Sequence, residues 1–238
     1  MKGVILAGGL GTRLYPLTYV TNKHLLPVYN RPMIFYPIQT LVNAGITEIL
    51  IVTSGPHVGH FLGVLKNGKE LGVKHLEYAY QEKPDGGIAD ALSLAKDFAD
   101  NNPITVILGD NTTDADISFG VNSFKEGAMV FLKEVSDPER YGVAFLDQKD
   151  KTKIKDIIEK PKKPISNLAV IGIYIYDYQV FNYIKKIKPS PRGQLEITDV
   201  NNIYITKNQM HFSMLNGFYS DAGTFDSLYA AGKYWAEK

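Results

Sequence analysis

Short apolar runs alternate with helical patterns through the first 110 residues, and this alternation limits the chain to few folds. The runs at 4–7, 49–53 and 104–108 are rich in β-branched residues and flanked by turn residues, which is typical of buried strands. Between them, residues 88–98 carry their apolar side chains on one helical face. Strand–helix alternation predicts a mostly parallel sheet with helices on both faces.

The second half of the chain has a different pattern. Strand-like runs follow one another directly, with turn residues between them; they lie at 128–135, 141–146, 154–159 and 168–176. Apolar residues from Phe225 to Trp235 then recur at helical spacing. We therefore predict an α/β fold with a Rossmann-like mixed sheet and antiparallel additions. One domain, 1–238, would have lobes at about 1–115 and 116–238.

Composition excludes several function classes. The 238 residues include no cysteine, so disulfides, thiolate metal ligands and a cysteine nucleophile are absent. The net charge of +1 provides no general attraction to nucleic acid or to a membrane surface. No apolar run approaches the roughly 20 residues of a membrane span, and the first residues lack a signal-peptide pattern. We expect a cytoplasmic protein without nucleic-acid or membrane partners.

A glycine-rich loop follows the first predicted strand. Gly8, Gly9 and Gly11 allow the backbone to approach a ligand closely, and Arg13 adds a planar cation suited to pyrophosphate. A tight strand–helix turn is the alternative. The dinucleotide fingerprint fails because it requires glycine where Leu14 stands, and no Gly-Lys-Ser/Thr tripeptide completes a Walker loop. A nicotinamide-dependent oxidoreductase is therefore disfavoured.

A lysine lies ten residues beyond Arg13. Lys23 precedes the apolar segment Leu25-Leu26-Pro27-Val28, so its ammonium could lie over the glycine loop. A solvated surface lysine is the alternative, and the nearby arginine favours the first interpretation.

These two segments resemble the sugar nucleotidylyltransferases. Gly8-Gly9-x-Gly11-Thr12-Arg13-Leu14 and Lys23-x-Leu25-Leu26-Pro27-Val28 are similar to the motifs of that family, and most of all to glucose-1-phosphate thymidylyltransferases. The resemblance implies a nucleotide-diphospho-sugar transferase fold. It also implies nucleotide-binding roles for Leu6, Ala7, Gly8, Gly9, Gly11, Thr12 and Arg13.

Two aspartates are candidate magnesium ligands. Asp110 ends the predicted strand 104–108, where ligands bind in open parallel sheets, and Asp221 precedes the last helix. Carboxylates, phosphate oxygens and water are the ligands that Mg²⁺ prefers, although either aspartate could instead be a helix cap or turn residue. The resemblance implies that both bind the metal and that Asp110 also belongs to the nucleotide site. His57 and His60 share a helical face without an apparent third ligand.

A second group of residues points to a sugar phosphate. Glu159 and Lys160 end a predicted strand before Pro161, and Arg192 precedes a predicted helix. An exposed ion pair is the alternative for the first two. The resemblance implies a sugar-phosphate site that comprises Lys23, Tyr141, Gly142, Glu159, Lys160, Val170, Gly172 and Arg192.

The segment 81–89 resembles the part of the family that reads the base. There Gln81 would pair with the pyrimidine edge, and a glycine would let the base lie on the backbone. One glycine is an insertion relative to many members, so both Gly86 and Gly87 remain candidates.

The implied reaction is attack by glucose 1-phosphate on the α-phosphorus of dTTP, with Mg²⁺ as cofactor and Arg13, Lys23 and Lys160 as catalytic residues. A phosphomonoester has its second pKa near about 6, so no general base is required. UTP or another sugar phosphate remains an alternative, as does a non-catalytic paralogue. The resemblance further implies dTDP-rhamnose and polysaccharide biosynthesis and a dimer or tetramer. The long thymidylyltransferases carry further C-terminal helices that contribute to an effector site, whereas this sequence ends soon after Trp235, so we expect that regulation to be absent or different.

Overall fold

The computed structural model describes residues 1–238 and contains thirteen strands and eight helices. The strands are β1 (Lys2–Ala7), β2 (Pro27–Val28), β3 (Arg31–Pro32), β4 (Glu48–Thr53), β5 (His75–Tyr80), β6 (Ile104–Leu108), β7 (Thr112–Thr113), β8 (Ala128–Glu134), β9 (Gly142–Leu146), β10 (Ile154–Glu159), β11 (Leu168–Tyr176), β12 (Met210–Met214) and β13 (Tyr219–Ser220). The helices are α1 (Phe35–Asn43), α2 (Val58–Leu65), α3 (Ile88–Ser93), α4 (Lys96–Ala99), α5 (Ser118–Ser123), α6 (Val180–Ile184), α7 (Ile197–Thr206) and α8 (Phe225–Glu237). No helix combines the length and apolar character needed to cross a bilayer.

Nine strands form one mixed sheet that contains strands from both halves of the chain. Its main order is β10-β9-β11-β6-β1-β4-β5, and β8 and β12 continue from β11. Strands β6, β1, β4 and β5 are mutually parallel, whereas β11 is antiparallel to β6, β8 and β9. The predicted mixed sheet with antiparallel additions is therefore confirmed.

Strand β11 is the point where the sheet divides. One edge of β11 pairs with β8, and the other edge pairs first with β9 at Ala169–Val170 and then with β6 from Ile173. Neither β9 nor β6 pairs with Gly172, which lies in between. This division leaves a cleft between the two parts of the sheet.

Helices cover both faces of the sheet, as the alternation predicts. In β1, Val4 and Leu6 belong to one core and Ile5 and Ala7 to the other, because successive side chains point to opposite faces. The first core includes residues of α3, α4, α6 and α7, and the second includes residues of α1 and α2. A third, smaller core lies beneath α8.

Several local predictions differ from the structure. The single helix predicted over 88–98 is two short helices, α3 and α4, and the chain leaves α4 with Asp100 in the left-handed region at φ 46°. Strands β5 and β12 were not predicted, since their residues are mostly half-buried or exposed and form no continuous apolar run. The predicted C-terminal helix and the four strands of the second half are confirmed.

Candidate active site

A cavity of about 620 Å³ lies at the carboxyl ends of the parallel strands, beside the division at Gly172. Its volume is in the range of small-molecule sites. Gly8 follows β1, Gln81 follows β5 and Asp110 follows the end of β6, and all three line the cavity. Ligands bind at this edge of an open α/β sheet, because loops that follow neighbouring parallel strands converge there.

The glycine loop forms one wall. The Gly9 amide donates to the Ser54 hydroxyl at 2.8 Å, and the Thr18 hydroxyl donates to the Gly11 carbonyl at 2.9 Å. Gly9 and Gly11 both have positive φ, at 91° and 64°. Residues with a side chain rarely adopt this backbone conformation, so glycine is favoured at both positions. A short 3₁₀ helix over Thr12–Leu14 then presents Arg13, whose guanidinium has no protein hydrogen-bond or ion-pair partner. Arg13 is therefore a free cation at the mouth of the cavity.

Asp110 is paired with Lys23. The ammonium lies 2.5 Å from Asp110 Oδ2, and Asp110 Oδ1 accepts a hydrogen bond from Asn111 at 3.0 Å. Burial alone would raise the pKa of Asp110, but the charge and hydrogen bond of Lys23, together with the nearby His24 and Arg13, outweigh it, and the pKa falls to about 2. Asp110 is consequently ionised at neutral pH.

Asp221 is paired with Arg140, at 2.6 Å from the guanidinium to Oδ2. Burial and the nearby negative charge of Asp110 raise the pKa of Asp221, and Arg140 offsets this only in part. The two carboxylates thus lie close enough to repel each other. A two-stranded ribbon brings them together, because β7 follows Asp110, β13 precedes Asp221, and Tyr219 pairs with Thr113.

The opposite end of the cavity is built from β10 and the residues before α7. Glu159 accepts hydrogen bonds from the Thr198 hydroxyl at 2.6 Å and from Arg192 at 3.2 Å, and Arg192 also pairs with Glu196 at 2.9 Å. Lys160 lies 3.7 Å from Glu159 and adopts φ 43°, which is uncommon for a side chain other than glycine or asparagine. With this backbone conformation at the end of β10, the side chains of Glu159 and Lys160 both line the cavity.

Most of the predicted site residues line this cavity. They are Leu6, Gly8, Gly9, Arg13, Lys23, Gln81, Gly87, Asp110, Tyr141, Gly142, Glu159, Lys160, Val170, Gly172, Arg192 and Asp221. Gly11 and Thr12 line a smaller adjacent cavity that shares Gly9, Arg13 and Lys23 with the main one.

Ala7 and Gly86 line neither cavity. Ala7 is fully buried in the core, and a Cβ added at Gly109 would lie 3.1 Å from the Cβ of Ala7. Gly87 lines the main cavity and also approaches the Leu195 backbone so closely that a Cβ would lie 2.5 Å from its carbonyl oxygen.

Sequence reasoning missed several residues of the cavity wall. Arg140, Asn111, Tyr219, Thr198 and Glu196 all line it. Arg140 lies next to Tyr141, which was predicted, but only the fold shows that its guanidinium reaches Asp221. When Arg140 is included, five cationic and five acidic side chains line the cavity, so their charges balance when the site contains no ligand.

His57 and His60 lie against each other at the start of α2. Their rings stack at 5.2 Å, and His60 contacts the Thr21 hydroxyl. No group of three or more histidine, cysteine or acidic side chains is arranged to hold a metal ion. Asp110 and Asp221 are therefore a two-carboxylate site at most.

Comparison with known proteins agrees with this geometry. The nucleotidyl transferase family model matches residues 2–238, nearly the whole chain. The chain belongs to this family. Nucleotidyl transferases join nucleotides to an acceptor, which is consistent with a cavity that has a phosphate-type loop at one end and a second charged group at the other.

Named relatives of this nucleotidyl transferase are thymidylyltransferases. A glucose-1-phosphate thymidylyltransferase of Xanthomonas campestris is 45% identical, and the match covers 98% of this chain and 80% of the relative. That of Neisseria gonorrhoeae is 41% identical over 98% and 82% of the two chains.

Two solved structures have the same fold as this chain. A Bacillus anthracis protein described as a glucose-1-phosphate thymidylyltransferase, crystallised with sucrose, superposes with a TM-score of 0.92 at 50% identity, and the match covers 98% and 94% of the two chains. A UDP-glucose pyrophosphorylase with bound UDP-glucose has the same fold, with a TM-score of 0.84 at 24% identity over 100% and 99% of the chains. The nucleotide-diphospho-sugar transferase type of fold is thus confirmed.

Proposed function

We propose that this chain transfers the thymidylyl group of dTTP to glucose 1-phosphate, which yields dTDP-glucose and pyrophosphate. One observation carries the proposal: the two carboxylates lie in a single cavity between a glycine loop with a free arginine and a second group of cations at the end of β10. Two polyanions can bind side by side in such a cavity. The lobes at about 1–115 and 116–238 would supply the nucleotide and the sugar-phosphate ends.

The reaction requires no base from the protein. A phosphate oxygen of glucose 1-phosphate forms the new bond to the α-phosphorus, and the bond from that phosphorus to the bridging oxygen breaks as pyrophosphate leaves. The attacking phosphate is largely a dianion near pH 7, because its second pKa is about 6. Repulsion between the two substrates is therefore the main barrier, and positioned cations lower it.

We assign the cations by their positions. Arg13, free at the mouth beside the glycine loop, binds the leaving pyrophosphate. Lys23, which forms its ion pair with Asp110, contacts the reacting phosphates. Lys160 and Arg192 bind the phosphate of the sugar, and Glu159 accepts hydrogen bonds from sugar hydroxyls. Near Gly142, Val170 and Gly172, backbone N–H groups donate to sugar oxygens and backbone carbonyls accept from sugar hydroxyls.

The carboxylates fit a divalent cation. Asp221 Oδ1 accepts no hydrogen bond, and Asp110 Oδ1 accepts only that of Asn111, so each acid has an oxygen without a cationic partner. Two carboxylates leave the other positions to phosphate oxygens and water, as Mg²⁺ prefers. When bound, Mg²⁺ would neutralise charge on the triphosphate. Asp110 and Asp221 would hold it, and before it binds Lys23 favours the ionised form of Asp110 and Arg140 favours that of Asp221.

The test is pyrophosphate release from dTTP, glucose 1-phosphate and Mg²⁺, with UTP as the comparator. We expect turnover with dTTP that exceeds turnover with UTP. Faster turnover with UTP would instead identify a UTP-dependent transferase. Binding of dTTP without pyrophosphate release from any triphosphate or sugar phosphate would identify a non-catalytic paralogue.

Three further predictions concern the oligomeric state, the location and the pathway of the protein. A dimer or tetramer is compatible with the exposed apolar side chains of Tyr19, Val20 and Tyr229, and light scattering on the purified protein measures its mass. A cytoplasmic location, and a place in dTDP-rhamnose and polysaccharide biosynthesis, follow from the proposed product. Fractionation of the source cells and loss of dTDP-rhamnose after deletion of the gene would test these two predictions.

A further inference from the structure

Gln81 is a buried amide in the wall of the active-site cavity. It directly follows β5, its backbone amide donates to the Thr53 carbonyl at 2.8 Å, and only 3% of the residue is exposed. The side chain lines the cavity together with Gly8. A buried amide in such a position has few hydrogen-bond partners, and each of them determines what it can offer to a ligand.

The nitrogen of this amide donates hydrogen bonds to two oxygen atoms. Gln81 Nε2 donates to Asp90 Oδ2 at 2.8 Å and to the Gly87 carbonyl at 3.3 Å. A carboxylate and a carbonyl can only accept hydrogen bonds, so the atom that faces both must be the nitrogen. Rotation of the amide by 180° would place Oε1 against two oxygens and is therefore unfavourable.

The oxygen of the amide has no protein donor. Oε1 lies beside Gly8, where a Cβ would be only 2.8 Å away, and no side-chain or backbone N–H of the protein donates to it. Since both protons of Nε2 are already used, Gln81 offers a ligand an acceptor and no donor.

The backbone of Asp90 is fixed by helix α3. It lies in the first turn of α3, and its backbone carbonyl accepts a hydrogen bond from Ser93 Oγ at 2.6 Å. Its carboxylate occupies the space where a side chain at position 86 would project, so a Cβ at Gly86 would collide with it. This contact accounts for a glycine at 86 although that residue does not line the cavity.

We propose that Asp90 is a positioning residue that holds Gln81 as a pure acceptor and so selects nucleobases with a ring N–H at the pyrimidine N3 position. The proposal rests on the function proposed above and on the role in base recognition that the family resemblance implies for Gln81. Thymine and uracil carry this N–H and are accepted alike. Cytosine has a lone pair at N3, which would face Oε1 and leave both acceptors unpaired.

Removal of the Asp90 carboxylate has opposite consequences for the two kinds of base. Without it, the Gln81 amide can rotate and present Nε2 to N3 of cytosine. Thymine then loses a fixed acceptor, while cytosine gains a donor. A change that merely loosened the loop would weaken binding of both nucleotides together.

The experiment compares the dissociation constants of dTTP and dCTP by calorimetry, with Mg²⁺ and without sugar phosphate. In Asp90→Ala we expect the preference for dTTP to fall at least about 10-fold, with weaker dTTP binding and tighter dCTP binding. Asp90→Asn, whose amide oxygen can still accept from Gln81 Nε2, should keep the preference within about threefold of wild type. Asp97→Ala removes an exposed acid nearby and is the matched control.

Equal loss of both affinities in Asp90→Ala, an unchanged preference, or a wild-type protein that binds both nucleotides equally would overturn the proposal. If Asp90→Ala does not fold, Gly86→Ala displaces the carboxylate without removing it and should lower the same preference. These measurements need no turnover. Absence of pyrophosphate release would therefore count against the proposed function alone, and an unchanged preference against the role of Asp90 alone.

Discussion

Each carboxylate at the centre of the site has its own cationic partner. A buried carboxylate without a partner is costly, and Lys23 lowers that cost for Asp110, as Arg140 does in part for Asp221, before any ligand binds. If Asp110 and Asp221 held a divalent cation, it would balance their charge, and Lys23 and Arg140 would then be available to phosphate oxygens. Both acids would therefore have a cationic partner with or without a ligand.

Replacement of Asp110 by asparagine should be severe. Asp110→Asn removes one of two anionic metal ligands, and we expect kcat to fall on the order of 10³-fold, or roughly 4 kcal/mol of barrier. The measurement is pyrophosphate release at saturating Mg²⁺ and substrates. Asp226→Asn, an exposed acid in the first turn of α8, is the control. An Asp110→Asn rate within threefold of wild type would remove this residue from the mechanism.

A buried histidine beneath the site makes stability depend on pH. His24 is 1% exposed, and its ring lies 2.7 Å from Asn22 Oδ1. Burial, together with the positive charge of Lys23, lowers the pKa of His24 from 6.5 to about 3. The unfolded chain therefore binds more protons between pH 6.5 and 3, so stability is lost as the pH falls through this window.

The effect of His24 can be isolated by substitution of this residue. The depressed pKa of Asp110 costs stability only below pH 3.8, and the raised pKa of Asp221 acts with the opposite sign above 3.8. We expect the free energy of unfolding in urea to be about 1 kcal/mol lower at pH 5 than at pH 6, and His24→Gln to lose most of this difference. His211→Gln, at an exposed position, should retain it. An identical pH dependence in wild type and His24→Gln would contradict the assignment.

At the scale of elements, helix α8 and the β7–β13 ribbon support Asp221. Asp114, just after β7, accepts hydrogen bonds from the Phe218 amide at 2.7 Å and from the Tyr234 hydroxyl of α8. The rings of Phe218 and Tyr234 stack at 3.8 Å. The loop that carries Asp221 is thus held between the ribbon and the C-terminal helix.

Truncation of Trp235 tests this support. Its ring packs 4.7 Å from that of Tyr36 in the small core beneath α8. We expect Trp235→Ala to lower the free energy of unfolding by about 2–3 kcal/mol, less than for a fully buried tryptophan because the residue is half-buried. Urea denaturation measures the change. Tyr229→Ala, at a position 75% exposed on the same helix, should stay within about 0.5 kcal/mol of wild type. Equal effects of both substitutions would show that α8 is not anchored through Trp235.

At the scale of the whole molecule, the cavity uses both halves of one sheet. Strand β6 ends beside Asp110, β10 ends at Glu159, and β11 connects the two parts through its pairings with β6 and β9. Ligand that bridges these parts binds only when both are folded, so binding should stabilise the molecule as a unit.

Thermal unfolding tests this coupling. With Mg²⁺ and dTTP at about 100 times its dissociation constant, stability should rise by about 2.7 kcal/mol, which corresponds to a Tm increase of roughly 5–10 °C. Far-ultraviolet circular dichroism and fluorescence of the one tryptophan should shift together. Mg²⁺ without nucleotide is the control and should have a much smaller effect. Two separate transitions, of which only one responds to dTTP, would contradict a single cooperative unit.

Local patterns in the sequence were sufficient for most elements and for the residues at strand ends. Apolar runs predicted β1, β4 and β6, and turn chemistry predicted the glycine loop that follows β1. Strand β5, at the edge of the sheet, was missed because half-buried residues lack the continuous apolar pattern of a central strand. These are properties of neighbouring residues, and neighbouring residues are what a sequence displays directly.

Only the tertiary structure decided which charged groups meet. Arg140 and Asp221 are 81 positions apart, and Lys23 and Asp110 are 87 apart, so no periodicity relates them. The contact of Asp90 with Gln81 likewise depends on how α3 packs beside the end of β5. Isolated charges carry no pattern of their own, and their partners are determined by strand order and by the division of the sheet at Gly172, which arise only when the whole core forms.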